Sequence, residues 1–231
     1  MKSDFLRGMS HGIPISLGYL SVSFGFGIKA VSVGLSVLAS SLISATNLTS
    51  AGQVAGVDII AVGGTIIEMI LVQLTINIRY SLMALSLSQK LDGKFTFLHR
   101  LIASYGITDE IFAVCSAQKQ KLTPAYMYGM ILISAVGWVT GTALGATAGQ
   151  LLPESISNAL GIVLYGMFMA VIIPPARKQK SVLIVVVVSA LISVLFKYLL
   201  TAVSSGFVVI ISAVIASVIG AVIFPVGEEN E

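Results

Sequence analysis

The chain has 231 residues, 56% of them hydrophobic and only 10% charged, with a formal net charge of +3. Soluble domains carry ~25% charged residues, so a water-soluble fold is excluded, and the few basic residues are loop anchors rather than a nucleic-acid patch. A single cysteine, Cys115, allows no intrachain disulfide. His11 and His99 stand apart from carboxylates and thiols, so neither a metal nor a cofactor site is indicated.

The polar opening, Met1 to Ser10 with Lys2 and Arg7, runs into an apolar segment lacking a small-residue cleavage site, and no removed signal peptide is expected. A helix needs ~20 mostly apolar residues to cross the hydrocarbon core. In chain order the predicted crossings are Ile13 to Val33, Ile59 to Ile76, Thr123 to Ala148, Ile156 to Pro174, Val182 to Ala202 and Phe207 to Phe224. Two further stretches are ambiguous. Ser36 to Leu48 is short and serine-rich, and Leu101 to Ala117 contains Asp109 and Glu110; each reads as a re-entrant or broken helix, or as a full crossing. The expected fold class is an all-α polytopic membrane helix bundle of about six to eight spans. It is read as a single transmembrane domain over 1–231.

The crossing at Thr123 to Ala148 carries four glycines one helical turn apart, Gly137, Gly141, Gly145 and Gly149. Each costs ~1 kcal/mol against Ala in a helix, and the compensation in a bilayer is that a second backbone can approach the stripe closely. Gly18, Gly25 and Gly27 enrich the first crossing in the same way. Halves at 12–121 and 122–225, each opened by a Gly-rich span, would form an inverted repeat of the kind found in secondary transporters.

Orientation follows from Lys and Arg. Lys2 and Arg7 precede the first crossing, Lys90, Lys94, Arg100, Lys119 and Lys121 fill the central connection, and Arg177, Lys178 and Lys180 follow Pro174-Pro175. Six crossings put all of these on one side, the cytoplasm, together with both termini.

Charges at membrane depth cost ~2.5–3.5 kcal/mol on insertion scales, so each needs a reason. Glu68 reads as a mid-span residue, either a proton-coupling acid or an internal hydrogen-bonding group. Asn77-Ile78-Arg79-Tyr80 separates two apolar runs and predicts a pause in the helix. Arg79 there either holds a carboxylate through two parallel hydrogen bonds or snorkels to the surface. Thr108-Asp109-Glu110 is either an ordinary helix cap or a helix start inside the protein that meets a substrate's charged groups. Ser50-Ala51-Gly52-Gln53, beside Asn47 and Thr49, reads as an unwound segment lining a cavity or as an external loop.

The sequence has no Gly-Lys-Ser/Thr phosphate loop, no Ser/His/Asp arrangement and no His-Glu-x-x-His helix, so an enzyme is not expected. Gly12-Ile13-Pro14, Ser23-Phe24-Gly25-Phe26-Gly27, Ala51-Gly52-Gln53, Asn77-Ile78-Arg79-Tyr80 and Thr108-Asp109-Glu110 follow one another in that order. In this the chain resembles the AzlC family, the large subunit of bacterial branched-chain amino acid exporters. The resemblance implies a multi-pass permease of the bacterial inner membrane that exports valine, leucine, isoleucine and sometimes methionine. It also implies a separately encoded AzlD-type partner of about four spans, and coupling to the proton gradient is expected.

On that reading Arg79, or the amides at Thr108, holds the substrate carboxylate, and Asp109 or Glu110 its ammonium. Gln53 and Asn77 add hydrogen bonds at unwound segments, and Glu68 carries the proton. Two departures from the family pattern stand out: Val54 where an aromatic is expected, and Ser157 to Ile162 without the usual Asp and Pro. A carrier of another small solute, or a scaffold subunit that transports nothing, remain the alternatives; the glycine stripe fits a scaffold equally well.

Overall fold

The computed structural model describes residues 2–151, 153, 155, 166, 169, 172–199 and 203–225. Among these the regular structure is helical, apart from a single backbone bridge between Leu91 and Leu122. The elements are α1 (Lys2–Ser32), α2 (Val37–Thr46), α3 (Ala51–Ala61), α4 (Ile66–Ser88), α5 (Phe97–Tyr105), α6 (Asp109–Ser116), α7 (Pro124–Leu151), α8 (Lys180–Leu199) and α9 (Ser205–Ile223). Five described helices are long and apolar enough to cross a bilayer: Ser3–Ser32, Ile66–Ser88, Pro124–Leu151, Lys180–Leu199 and Gly206–Ile223. The protein is therefore an all-α, multi-pass membrane bundle. The expected crossing Ile156 to Pro174 lies mostly outside the described residues.

Helix length separates the elements into two kinds. At 1.5 Å per residue α7 is ~42 Å long and α4 ~34 Å, enough for a ~30 Å hydrocarbon core. α2, α3, α5 and α6 are only ~12–16 Å each, about half a crossing. Local chemistry sets the ends of these short pieces. Gly34, at φ 93°, closes α1, and the Ser36 hydroxyl caps α2 by accepting from the Ala39 amide at 3.1 Å. Asn47 Oδ1 accepts from the Thr49 amide, and Ser50 is held at φ 42°, a conformation uncommon for a residue with a Cβ. Gly106 follows α5, and the Thr108 hydroxyl caps α6.

Two expectations change here. The crossing expected at Ile59 to Ile76 is divided at residues 62–65, where Gly63 turns the chain at φ 66° and the Thr65 hydroxyl accepts from the Glu68 amide. Conversely, α4 runs unbroken through Asn77-Ile78-Arg79-Tyr80. Polar side chains satisfied laterally leave the backbone ladder intact, so no pause is needed.

The chain forms two compact units, one from Met1–Val54 with Asn77–Leu164, the other from Ala55–Ile76 with Tyr165–Glu231. In the first, α1 packs along α7. Gly129, Gly137, Gly141 and Gly145 lie against the carbonyls of Phe5, Ser16, Leu20 and Phe24 respectively, and a Cβ at any of the four would collide with that oxygen. Gly149 meets Ile28 and Val31. Both series ascend together, so α1 and α7 run in the same direction. An inversion between halves would therefore have to pair other helices. The interface buries Tyr19, Tyr126, Met130 and Trp138, joined by Ile111 and Cys115 of α6.

Two helical hairpins flank this pair. α2 leaves the end where α1 finishes, and at residues 47–50 the chain turns back, so that Gln53 bonds to Ser44. α5 and α6 form the other hairpin. The connections at its base meet where α7 begins: the Asp92 amide donates to the Leu122 carbonyl at 3.0 Å, and the Leu122 amide to Lys90 at 2.9 Å. The two hairpins thus enter from opposite ends of the α1–α7 pair, and their tips touch where Tyr105 Oη donates to the Ala45 carbonyl at 2.7 Å.

In the second unit α8 and α9 form an antiparallel hairpin, with Ser193 beside Ser212 and Val185 beside Gly220.

Candidate substrate site at mid-height of the first unit

Tyr19 lies near the middle of α1, Trp138 near the middle of α7, and their rings meet edge-on with centroids 5.2 Å apart. That contact marks the half-way level of the two long helices, where the hairpin tips converge. Irregular backbone at such depth is tolerated where it lines a cavity or is covered by protein.

Thr108-Asp109-Glu110 opens α6 at this level. The Tyr19 hydroxyl is 2.6 Å from both Thr108 Oγ1 and Glu110 Oε2. With one proton to give, it donates to the carboxylate and accepts from the threonine. Asp109 pairs instead with Arg79 of α4, Nη1 to Oδ2 at 2.7 Å. The guanidinium also donates to Tyr80 Oη at 3.3 Å and sits 5.0 Å from the centre of the Tyr80 ring. Tyr80 Oη in turn lies 3.5 Å from the Thr49 carbonyl at the tip of the other hairpin. The structure therefore brings Arg79, Thr108, Asp109 and Glu110 into one cluster and adds Tyr19 and Tyr80. Asn77 lies on α4 one turn before Tyr80, on the same helix face.

Gln53 sits elsewhere. It is the third residue of α3 rather than part of an unwound segment, which is confined to 47–50. Both ends of its amide are engaged in a buried chain of hydrogen bonds. Trp138 Nε1 donates to Gln53 Oε1 at 2.8 Å, Gln53 Nε2 donates to Ser44 Oγ at 3.1 Å, and Ser44 and Thr142 share a 2.7 Å hydroxyl contact. Gln53 thus fixes the α2–α3 tip against α7.

Glu68 belongs to the second unit. It lies in the first turn of α4, not in the middle of a span, because the break at 62–65 moves the helix start to Ile66. Its carboxylate is buried and accepts from Ser204 Oγ at 2.6 Å and from the Gly206 amide at 2.9 Å. That geometry caps the N-terminus of α9, where a negative group meets the positive helix pole.

Tyr19, Trp138, Ser44 and Thr142 were not singled out from sequence. Trp138 carried one usable signal, an indole N–H in the middle of an apolar span that needs an acceptor. Tyr19 is a hydroxyl in a similar position. Among the described residues no three His, Cys, Asp or Glu side chains gather as a metal ion would require.

The family model described as "AzlC protein" matches residues 14–152, which run from α1 through α7 and contain the entire cluster. The chain belongs to the AzlC protein family. It is 27% identical to the inner membrane protein YgaZ of Escherichia coli over 78% of this chain and 76% of that protein. It is 30% identical to an uncharacterized membrane protein of Archaeoglobus fulgidus, over 74% of this chain and 75% of that one. The branched-chain amino acid transport protein AzlC of Bacillus subtilis is 22% identical, over 77% and 70%. No solved structure matches the chain.

Proposed function

We propose that this chain is the transport subunit of a carrier that moves the branched-chain amino acids valine, leucine and isoleucine, and in addition the unbranched methionine, outward across the cytoplasmic membrane. The observation that carries the reading is the Arg79–Asp109 pair at the meeting point of two broken-helix tips. Both side chains keep 41% of their surface exposed, so a ligand can reach the two charges without a buried pair having to be broken first. A zwitterion matches them. Its carboxylate takes Arg79 while its ammonium takes Asp109, so two pairs replace one and no charge is left alone. Tyr80 stacks on the guanidinium and fixes its plane, Asn77 lies alongside, and Thr108 and Gln53 hold the two tips in place. The substrate class is supported by the name of the Bacillus subtilis relative and by the family resemblance.

The cytoplasmic side is assigned to the end where α1 and α7 begin. Arg7 donates to Gln120 there at 2.8 Å, and Lys90 is bound by the carbonyls of Ser116 and Gln118. Basic connections gathered at this end of the first unit support that reading through the positive-inside rule, and the C-terminus is proposed on the same side from the charge pattern of the sequence. Coupling to the proton gradient is assigned to Glu110, which lies in the cluster against Tyr19, rather than to Glu68, whose oxygens cap α9. A small AzlD-type subunit completes the carrier.

The test is growth in the presence of a toxic leucine analogue, with and without this chain and its small partner. Protection that requires both supports the reading. No protection with both present at the membrane contradicts it.

A further inference from the structure

Below the charged cluster lies a cavity of about 280 Å³, walled by the end of α4, the α4–α5 connection, α5 and α7. Its apolar lining includes Ala84, Leu87, Phe95, Leu101, Ile107 and Met127. The polar residues around it do not change that character. The Ser88 hydroxyl is spent on the Leu85 carbonyl at 2.6 Å and the Ser104 hydroxyl on the Leu101 carbonyl at 2.7 Å. Arg100, in the first turns of α5, also borders it.

Its position ties it to the cluster twice. Ile107 immediately precedes Thr108. Ala84 follows Tyr80 by four residues on the same face of α4, a rise of ~6 Å. Its size lies just under the ~300–1,000 Å³ typical of pockets for drug-sized ligands, so it suits one amino-acid side chain better than a larger molecule.

We infer that this cavity receives the aliphatic side chain of the substrate and sets which amino acids the carrier accepts, with Ala84, Leu101 and Ile107 as specificity residues. The inference rests on the proposed transport of amino acids by the Arg79–Asp109 pair and adds the means of selection. An apolar pocket separates ligands that differ by one methylene by roughly 10–200-fold at most, so several aliphatic residues would share it and polar ones would be refused.

The experiment uses the full chain with its small partner in proteoliposomes and compares uptake of labelled leucine, alanine and phenylalanine. Ala84→Phe fills the cavity and Leu101→Ala, at a half-exposed position, enlarges it. The fold of each variant is checked by protection of buried Cys115 from maleimide. The leucine-to-alanine ratio should fall at least tenfold in Ala84→Phe, and phenylalanine should become a substrate in Leu101→Ala. Unchanged ratios in a folded Leu101→Ala variant, with wild-type leucine transport intact, would overturn the assignment and leave the cavity to lipid chains. Absence of amino-acid transport by the wild type would instead overturn the transport reading and this inference with it.

Discussion

Arg79 of α4 and Asp109 of α6 meet at 2.7 Å, so the two motifs that distinguish the sequence, thirty residues apart, form one contact. Each side chain keeps 41% of its surface exposed outside a membrane, so the pair contributes only ~0–1 kcal/mol to stability in detergent. Arg79→Gln and Asp109→Asn should therefore leave the melting temperature within a few degrees while lowering transport at least tenfold. Thermal melts and flux measured on the same preparations separate the two effects.

The α1–α7 interface should be intolerant of small additions at particular glycines. Gly145→Ala places a methyl against the Phe24 backbone, and overpacking of this kind costs ~1–3 kcal/mol or more. Gly18→Ala meets nothing within 4 Å and should be neutral or gain up to ~1 kcal/mol from helix propensity. Yield and melting temperature of the two variants provide the comparison.

Gln53 and Trp138 should be energetically coupled. Gln53→Leu strands the buried indole N–H, at ~1–3 kcal/mol. Trp138→Phe removes that donor, so adding Gln53→Leu to it should cost less than Gln53→Leu alone. A double-mutant cycle on denaturation midpoints, with a coupling of ~1 kcal/mol, is the expected result. Additive costs would mean that the bond contributes nothing.

Glu68 and Glu110 should behave differently as glutamines. Glu68→Gln keeps an acceptor for Ser204 and Gly206 and should retain transport within about twofold, whereas Glu68→Ala should lower stability by ~1–2 kcal/mol. Glu110→Gln should still exchange leucine for leucine but no longer respond to an imposed pH gradient. Gradient-driven uptake measured beside equilibrium exchange tests both.

The long helices were legible because an apolar run of more than ~20 residues has one use. Ser36 to Leu48 and Leu101 to Ala117 were legible as exceptions, each too short or too charged to cross simply, but residue order alone did not decide between a broken helix and a full crossing; the second holds the end of α5 and all of α6. What sequence did not show was lateral satisfaction. Arg79 looked like a reason for α4 to pause, yet Asp109 reaches it without any disturbance of the helix. Glu68 looked central because Ile59 to Ile76 was read as continuous; Gly63, by turning the chain, makes it a first-turn residue. Gln53 looked available to a ligand, and Trp138, eighty-five residues away in sequence, takes its carbonyl. Such partners depend on tertiary placement that residue spacing does not encode.

The most direct measurement is counterflow of labelled leucine into leucine-loaded proteoliposomes that contain this chain and its small partner, wild type against Arg79→Gln with Asp109→Asn. The wild type should accumulate label transiently, and the double variant, folded but without its central charges, should not. Equal counterflow in the two would contradict the assignment of the substrate to the Arg79–Asp109 pair.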